Sequence, residues 1–220
     1  MAASVGAVVL FGPPGAGKGT QARGLAQRLG VPHISTGDMI RAQVAAGTST
    51  GRQAHSVMAQ GSLLPDEWVN RMVESRLREP YCGRGLILDG YPRTRGQAQA
   101  LEEMLAVDGG RMLLIHIVVG YNEIIRRTTG RRMCPHCGTI YNIFARPPQQ
   151  DNLCDRDQTA LEIRSDDREE VIRERLQAYD RETRPVLECL REKGHVIHEV
   201  DGTLAPERVA ERLAAILEAA

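Results

Sequence analysis

The stretch VGAVVLFGPPGAGKGT, residues 5–20, decides the fold of this 220-residue chain. Its first seven residues are apolar, which is typical of a buried strand. Gly12, Gly17 and Lys18 then fit the spacing G-x-x-x-x-G-K, in which backbone N–H groups converge on phosphate oxygens. A helix that follows this loop points the positive end of its dipole at the same anion. The alternative is a chance glycine turn, but the strand before it and the helix after it favour a phosphate-binding loop.

Apolar runs alternate with amphipathic stretches along the rest of the chain. Strands are predicted at 5–11, 31–35, 85–90, 111–119 and 195–200. Helices are predicted at 17–29, 38–46, 51–60, 66–78, 95–107, 122–130, 167–193 and 206–219. Asp66 is predicted to cap the helix at 66–78. Strands that alternate with helices indicate an α/β fold, with a five-stranded parallel sheet flanked by helices and right-handed crossovers.

An insertion at residues 131–165 breaks this alternation and is rich in Pro, Gly, Cys and Asn. It is long for a loop, so a small domain is predicted. Cys134 and Cys137 form one close pair, and Cys154 and Asp157 form another after 16 intervening residues. That spacing is typical of zinc sites, and zinc accepts a carboxylate oxygen as well as thiolates. The alternatives are His136 as a rival ligand, or a metal-free insertion with incidental cysteines.

Composition limits the classes of partner. Formal net charge is zero, which argues against a nucleic acid, because phosphate backbones favour basic domains. No segment approaches the ~20 apolar residues that span a bilayer, and the opening residues predict a buried strand in place of a signal peptide. Five cysteines in such a chain indicate reduced thiols and a cytoplasmic location. Cys82 and Cys189 lie outside the metal pattern and are predicted to pack in the core.

Two further polar motifs follow predicted strands. HISTGDMIR, residues 33–41, carries Thr36 and Arg41, and LILDGYPRTRGQ, residues 86–97, carries Asp89 and Arg93. Ligands of parallel sheets bind beyond the carboxyl ends of the strands, where both motifs and the glycine loop lie. Helix capping by the Ser-Thr pair at 35–36 is the plain alternative for the first motif, and it is compatible with ligand contact.

These motifs, together with GRR at 130–132 and RSDD at 164–167, resemble those of the adenylate kinases over nearly the whole chain. LILDGYPRTRGQ is the most specific part, because the family signature is an apolar strand, Asp-Gly-aromatic-Pro-Arg and a later Gln. The insertion is similar in length to the lid of the long, bacterial-type members. The resemblance implies a monomeric enzyme that transfers the γ-phosphoryl group of ATP reversibly to AMP, giving two ADP, with Mg²⁺ bound to ATP.

The same resemblance implies a division of the chain. A core domain with the P-loop nucleoside monophosphate kinase fold would comprise residues 1–130 and 166–220. A helical segment at 36–65 would bind AMP, and a lid at 131–165 would hold a structural Zn²⁺ through Cys134, Cys137, Cys154 and Asp157. A closed four-ligand site has no open position for catalysis, so the metal is expected to stabilise the lid.

The resemblance also implies residue roles. ATP contacts are implied for Gly12, Gly15, Ala16, Gly17, Lys18, Gly19, Thr20, Arg127, Arg131, Ile140, Tyr141 and Leu204. AMP contacts are implied for Thr36, Arg41, Ser62, Leu63, Leu64, Gly90, Arg93, Gln97, Arg164 and Arg175. Of these, Arg41, Gly90 and Arg93 would hold the AMP phosphate, Gln97 would read the adenine edge, and Ser62 would contribute backbone only. Catalytic roles are implied for Lys18, Asp89, Arg93, Arg127, Arg131, Arg164, Asp166, Asp167 and Arg175.

One position departs from most phosphate-binding loops. Gly19 follows Lys18, where a Ser or Thr usually contacts Mg²⁺, and Thr20 comes one residue later. Phosphates and waters would then hold the ion, with Asp89 and one of Asp166 and Asp167 ordering the waters. For the latter two, carboxylates that favour a helix start are the alternative.

Three other functions stay open from the residues alone. A kinase for GMP, UMP or CMP would share the fold and differ in a few base contacts. A bare P-loop ATPase would not need the AMP-side residues. A zinc-ribbon nucleic-acid binder would need a basic ribbon, which the balanced charges of residues 131–165 do not provide.

Overall fold

The computed structural model describes residues 5–107 and 109–220 as an α/β fold. The strands are β1 (Val5–Phe11), β2 (His33–Ser35), β3 (Leu86–Asp89), β4 (Arg111–Val118), β5 (Arg131–Met133), β6 (Ile140–Asn142) and β7 (Ile197–Asp201). The α-helices are α1 (Lys18–Leu29), α2 (Thr36–Ala45), α3 (Ser49–Ala59), α4 (Asp66–Leu77), α5 (Arg95–Ala106), α6 (Tyr121–Thr129), α7 (Glu169–Ala178), α8 (Arg184–Glu192) and α9 (Pro206–Ala219). Short 3₁₀ turns occur at Pro80–Cys82 and Ser165–Asp167.

Five strands form one parallel sheet in the order β2-β3-β1-β4-β7, which confirms the predicted architecture. β1 lies at the centre and pairs with β3 on one side and β4 on the other. The loops after β1, β2 and β3 therefore lie side by side at one edge of the sheet. These are the loops that carry the three polar motifs.

The side chains of β1 alternate between two apolar layers, as expected for a central strand. Ala7, Val9 and Phe11 join one buried cluster with residues of α5 and α8. Val8 and Leu10 join another with residues of α1 and α9. The core thus covers both faces of the sheet and leaves the edge with the polar loops open.

The predicted helix at 167–193 is the main departure from expectation. It divides into α7, a π-helical turn at Tyr179–Thr183, and α8. A π turn holds one residue more than the α-helical turn it replaces, so the two halves present different faces. Ile172 on α7 packs in a cluster with Ile124 of α6, whereas Leu187 on α8 packs with the first core layer.

The inserted residues 131–165 form a compact unit. β5 and β6 pair antiparallel, and isolated bridges join Met133 with Glu162 and Leu153 with Ala160. Residues 131–165 therefore contain little regular structure beyond this short ladder and the bridges. In the described ranges, 5–107 and 109–220, no helix is both long and apolar enough to cross a membrane.

Candidate active site

The loop after β1 has the curvature that phosphate binding requires. Gly12, Gly15 and Gly17 have φ values of +147°, +82° and +97°, which side-chain-bearing residues rarely adopt. α1 begins directly afterwards at Lys18, so the amino-terminal N–H groups of the helix face the loop. The Lys18 ammonium donates to the carbonyls of Gly12 and Pro13 at 2.6 and 2.9 Å. The carbonyls of the glycine loop therefore hold the Lys18 side chain against the loop itself.

Lys18 is half-buried among other charges. Burial lowers the pKa of Lys18 to about 8, and Arg93, Arg175 and Arg131 act in the same direction. The nearby carboxylate of Asp89 opposes this shift only in part. An additional anion in this position would raise the pKa of Lys18 again.

Asp89 ends β3 beside the glycine loop. Burial alone would raise the pKa of Asp89, but His33, Lys18 and Arg93 outweigh it and hold that pKa below its usual range. The His33 Nε2 atom lies 3.5 Å from an Asp89 oxygen. A Cβ atom at Gly19 would lie 3.1 Å from the same Asp89 oxygen. The glycine after Lys18 therefore leaves room for this carboxylate, which explains the departure in sequence.

The loops after β2 and β3 meet through Gly90. Thr36 donates its hydroxyl to the Gly90 carbonyl at 2.8 Å, and Arg93 donates Nε to the same oxygen at 2.7 Å. A Cβ atom at Gly90 would lie 2.8 Å from Arg93, and its φ is +79°. Burial and the neighbouring Arg175 lower the pKa of Arg93 to about 10. Ser35 caps α2 by accepting from the Asp38 N–H, as the capping alternative predicts.

Gln97 is buried, and each end of its side-chain amide has one hydrogen-bond partner. Its carbonyl oxygen accepts from the Arg93 N–H, and its amide nitrogen donates to Asp66, both at 2.8 Å. The prediction that Asp66 caps α4 is wrong. Pro65 occupies the cap position, and Asp66 is the first helical residue. Its carboxylate accepts from the Gln97 side-chain amide and the Thr94 hydroxyl and makes no cap hydrogen bond to α4.

Two carboxylates, Asp166 and Asp167, lie among three arginines. Asp167 accepts from Arg131 through both oxygens, and Asp166 accepts from Arg175 at 2.8 Å. Arg164 lies beside them, and burial with the charges of Arg131 and Arg41 lowers its pKa to about 10. Asp166 and Asp167 are buried in the 3₁₀ turn before α7 and cap no helix. Their contacts are ion pairs, and both lie directly before the start of α7.

The remaining predicted ATP residues lie around the rim. Arg127 donates to Glu123 and to the Gly202 carbonyl, both at 2.7 Å. Leu204 is exposed after β7, and Ile140 is half-buried on β6. The Tyr141 side chain is buried in the lid, where its hydroxyl accepts from the Asp155 N–H at 2.8 Å. Any contact of Tyr141 with a nucleotide would therefore come from its backbone.

One cleft joins the two sides of the site. Its lining includes these predicted residues: Gly12, Lys18, Thr36, Arg41, Ser62, Leu63, Leu64, Gly90, Arg93, Gln97, Asp166 and Arg175. The following predicted residues do not line it: Gly15, Ala16, Gly17, Gly19, Thr20, Asp89, Arg127, Arg131, Ile140, Tyr141, Arg164, Asp167 and Leu204. Tyr179 and Thr183 also line it, although no sequence motif predicted them, and Thr183 donates to the Arg93 carbonyl at 3.0 Å. Both lie in the π turn, which has no sequence signal of its own.

The lid brings the predicted metal ligands together. One ligand atom from each of Cys134, Cys137, Cys154 and Asp157 lies within 4.8 Å of the others. The Cys137 and Cys154 sulfurs are 3.5 Å apart, close to the ~3.8 Å that tetrahedral zinc with ~2.3 Å bonds to sulfur requires. Donor types, number and spacing therefore fit a zinc ion.

The two halves of this cluster have the same backbone shape. After Cys134, Gly138 donates its N–H back to the Cys134 carbonyl at 3.0 Å, and after Cys154, Gln158 does the same at 2.8 Å. Gly138 and Gln158 both have positive φ, +69° and +57°. His136 is exposed and contacts Asp157 at 3.0 Å. It is not one of the four clustered ligands.

The two other cysteines differ in their surroundings. Cys82 is buried in the first core layer, as predicted, and its sulfur lies 3.1 Å from the Arg76 carbonyl. Cys189 on α8 is only partly buried and is not part of a described core cluster, so the core prediction is wrong for it. The position of Cys189 on a partly exposed helix face explains this outcome.

A P-loop, a five-stranded parallel sheet and a shared cleft between the P-loop and a second basic loop define a P-loop nucleoside monophosphate kinase. The family model described as adenylate kinase matches residues 10–195. The chain belongs to the adenylate kinase family and is a phosphotransferase that acts on nucleotides. Members of this family use Mg²⁺ with ATP.

Curated relatives cover nearly the whole chain. An adenylate kinase of Archaeoglobus fulgidus is 45% identical over 212 residues, which is 96% of this chain and 97% of that protein. One of Methanocella arvoryzae is 47% identical over 199 residues, 88% of this chain and 90% of the relative. One of Pseudothermotoga lettingae is 48% identical over 182 residues, 82% and 84% of the two chains. Neither a bare ATPase nor a nucleic-acid binder is favoured by these similarities.

Proposed function

We propose that this chain transfers the γ-phosphoryl group of Mg-ATP reversibly to AMP, giving two ADP. The observation that supports it most is the shared cleft, which is lined by Lys18 of the glycine loop together with Arg93 of a separate loop and Gln97 of α5. A phosphate donor and a phosphate acceptor can therefore enter from opposite sides. Phosphoryl transfer needs positioning and charge neutralisation more than covalent help. Positively charged groups from several chain segments supply both.

On the ATP side, backbone N–H groups of residues 15–20 would surround the phosphates. Lys18 would exchange its two carbonyl partners for phosphate oxygens, which favour its protonated form. Arg127 and Arg131 would approach from the rim, while Ile140, Leu204 and the backbone of Tyr141 would border the base. Arg127 has to leave the Gly202 carbonyl to do so, which implies a rearrangement on binding.

On the AMP side, Arg41 and Arg93 would bind the phosphate, next to the Gly90 backbone. Gln97 would contact the base edge. Thr36 would position Gly90, and residues 61–64 would contribute backbone contacts. The acceptor phosphate of AMP is already ionised near neutral pH, so the reaction needs no general base.

Arg131, Arg164 and Arg175 would complete the charge cage around the transferred group. In the described structure Asp166 and Asp167 neutralise two of them. We infer that phosphate oxygens take over part of this role when nucleotides bind. Closure of the lid at 131–165 and of the segment at 36–65 over the core, residues 1–130 and 166–220, would exclude water and suppress hydrolysis.

We propose that Zn²⁺ occupies the four-ligand cluster of the lid and has a structural role. The lid is too small to form a large core, and metal binding would tie its two hairpin-like turns together. Mg²⁺ would bind to the ATP phosphates and to waters ordered by Asp89, with Asp166 or Asp167 as further candidates. When bound, it would screen the developing charge on the phosphates.

We also propose that the protein is a monomer in the cytoplasm, without a nucleic-acid or membrane partner. The five cysteines form no disulfide, which fits a reducing compartment. Zero net charge fits the absence of a polyanionic partner. Size-exclusion chromatography with light scattering tests the oligomeric state.

The proposed reaction can be tested with purified protein, Mg-ATP and one acceptor at a time from AMP, GMP, CMP, UMP and water. We expect ADP from AMP, with strong losses in Lys18→Ala and Arg93→Ala. Arg84→Ala, an exposed arginine outside the cleft, is the matched control and should keep full activity. Turnover only with another monophosphate would keep the fold and change the substrate. Hydrolysis without an acceptor would exclude a transferase.

A further inference from the structure

We propose that Asp66 is a specificity-determining positioning residue, which fixes the side-chain amide of Gln97 in the orientation that matches adenine. The inference rests on the proposed binding of AMP against Gln97. It adds the physical reason why that amide distinguishes adenine from a 6-oxopurine. Asp66 itself would not touch the base, since it acts from behind Gln97.

The contacts of Gln97 involve both ends of its amide. Its nitrogen donates to Asp66 Oδ1 at 2.8 Å, and its oxygen accepts from the Arg93 N–H at 2.8 Å. The second Asp66 oxygen accepts from the Thr94 hydroxyl at 2.6 Å. Thr94 in turn accepts from the Gln97 N–H at 3.1 Å and caps α5. Asp66 therefore holds Gln97 directly and also through the start of its helix.

These partners leave the amide one orientation. The two ends of a glutamine amide have nearly the same shape, so their hydrogen-bond partners decide which end is which. A carboxylate only accepts and a backbone N–H only donates. The reversed amide would set its oxygen against Asp66 and its nitrogen against the Arg93 N–H, and both contacts would become repulsive.

The sequence leaves space for this arrangement. A Cβ atom at Gly96 would lie 2.9 Å from Asp66 Oδ2, so a glycine there permits the close approach of α4 and α5. Gln97 is buried and lines the cleft, whereas Asp66 is not among the lining residues. Asp66 can therefore orient the Gln97 amide in the cleft without contacting a ligand there itself.

The fixed amide retains one N–H and one oxygen lone pair for a ligand. Adenine offers a ring-nitrogen acceptor beside an exocyclic amino donor. Hypoxanthine, the base of IMP, offers a ring N–H donor beside a carbonyl acceptor, which is the reverse order. A fixed amide therefore favours adenine, whereas an amide that is free to turn by 180° would accept either base.

The experiment compares kcat/KM for AMP and IMP in the wild-type protein, Asp66→Ala, Asp66→Asn and Glu67→Ala. Glu67 is the matched control, because it is an exposed acid in the same first turn of α4. We expect the AMP-to-IMP ratio to fall about tenfold or more in Asp66→Ala, the size expected for losing a charge-assisted hydrogen bond. Asp66→Asn retains an acceptor oxygen and should keep the ratio within about threefold.

An equal loss for both substrates in Asp66→Ala, with an unchanged ratio, would overturn the proposal and leave Asp66 a structural role only. If Asp66→Ala does not fold, Asp66→Ser gives the same comparison, because its hydroxyl is too short to reach Gln97. The wild-type arm reports on the proposed function separately. A wild-type protein without preference for AMP would refute that function, whatever the variants do.

Discussion

Asp167→Asn should destabilise the nucleotide-free protein and do so much less when nucleotides are bound. Asp167 accepts from Arg131 with both oxygens, and its side chain is fully buried. Asparagine has the same shape, but its amide nitrogen would face a guanidinium N–H. Breaking a buried ion pair from one side costs about 3–5 kcal/mol. Because the Arg131 side chain is still 20% exposed, we expect the lower figure, about 3 kcal/mol.

That loss corresponds to a decrease in Tm of roughly 6–12 °C for a chain of this size. The measurement is thermal unfolding by circular dichroism, with and without AMP plus a non-hydrolysable ATP analogue. Phosphate oxygens can replace the lost carboxylate beside Arg131, so the deficit should shrink to about 1 kcal/mol when both ligands saturate the site. The variant would then bind the nucleotide pair more tightly than the wild type.

Glu169→Gln is the control for this experiment. Glu169 pairs with Arg173 on the surface of α7, with both side chains at least half exposed, and such pairs contribute at most about 1 kcal/mol. Equal destabilisation of Asp167→Asn with and without nucleotides would refute the reasoning. It would mean that Asp167 stabilises the fold and that phosphate oxygens do not take its place beside Arg131.

Three further outcomes are expected. Cys154→Ser should lower Tm strongly and turnover in the cold only slightly, because the cluster stabilises the lid. A strong loss of turnover in the cold as well would contradict this role. ATP binding should weaken as pH rises above about 8, the pKa of Lys18 in the free protein, because binding then requires proton uptake. Calorimetry in buffers of different ionisation enthalpy should detect that proton uptake. If no uptake is detected, the lowered pKa of Lys18 is contradicted. Gly90→Ala should raise KM for AMP without changing KM for ATP, since a Cβ there would lie 2.8 Å from Arg93 and meets a φ of +79°; a larger effect on ATP would exclude this explanation.

Local patterns were sufficient for much of this fold. The apolar run of β1, the glycines of the phosphate-binding loop and the spacing of the Cys134–Cys137 and Cys154–Asp157 pairs are short-range features, and the structure has all of them. The close approach of Asp89 to Gly19 is different, because it joins the end of β3 to the start of α1 and leaves only a missing side chain in the sequence. The sequence identified that departure, and only the structure supplied its reason.

The wrong prediction for Asp66 has a clear physical origin. An Asp before an amphipathic run favours an N-cap, but Pro65 already has the extended backbone of a cap residue. Asp66 then finds Gln97, which lies 31 residues further along the chain. Partners at such separation leave no local signal. For the same reason the sequence did not show that Arg127 turns to the Gly202 carbonyl, 75 residues away.

The π turn at Tyr179–Thr183 sets the helical phase of everything that follows it. One extra residue in a helix rotates the downstream side chains by about 100° relative to an uninterrupted helix. Deletion of a single residue in this turn would let α7 and α8 merge, but it would also rotate Leu187 and Leu190 out of the core layer they fill. The count of residues between Arg175 and Leu187 is thus a constraint in its own right. In this stretch, unlike in a surface loop, substitutions should be tolerated far better than changes of length.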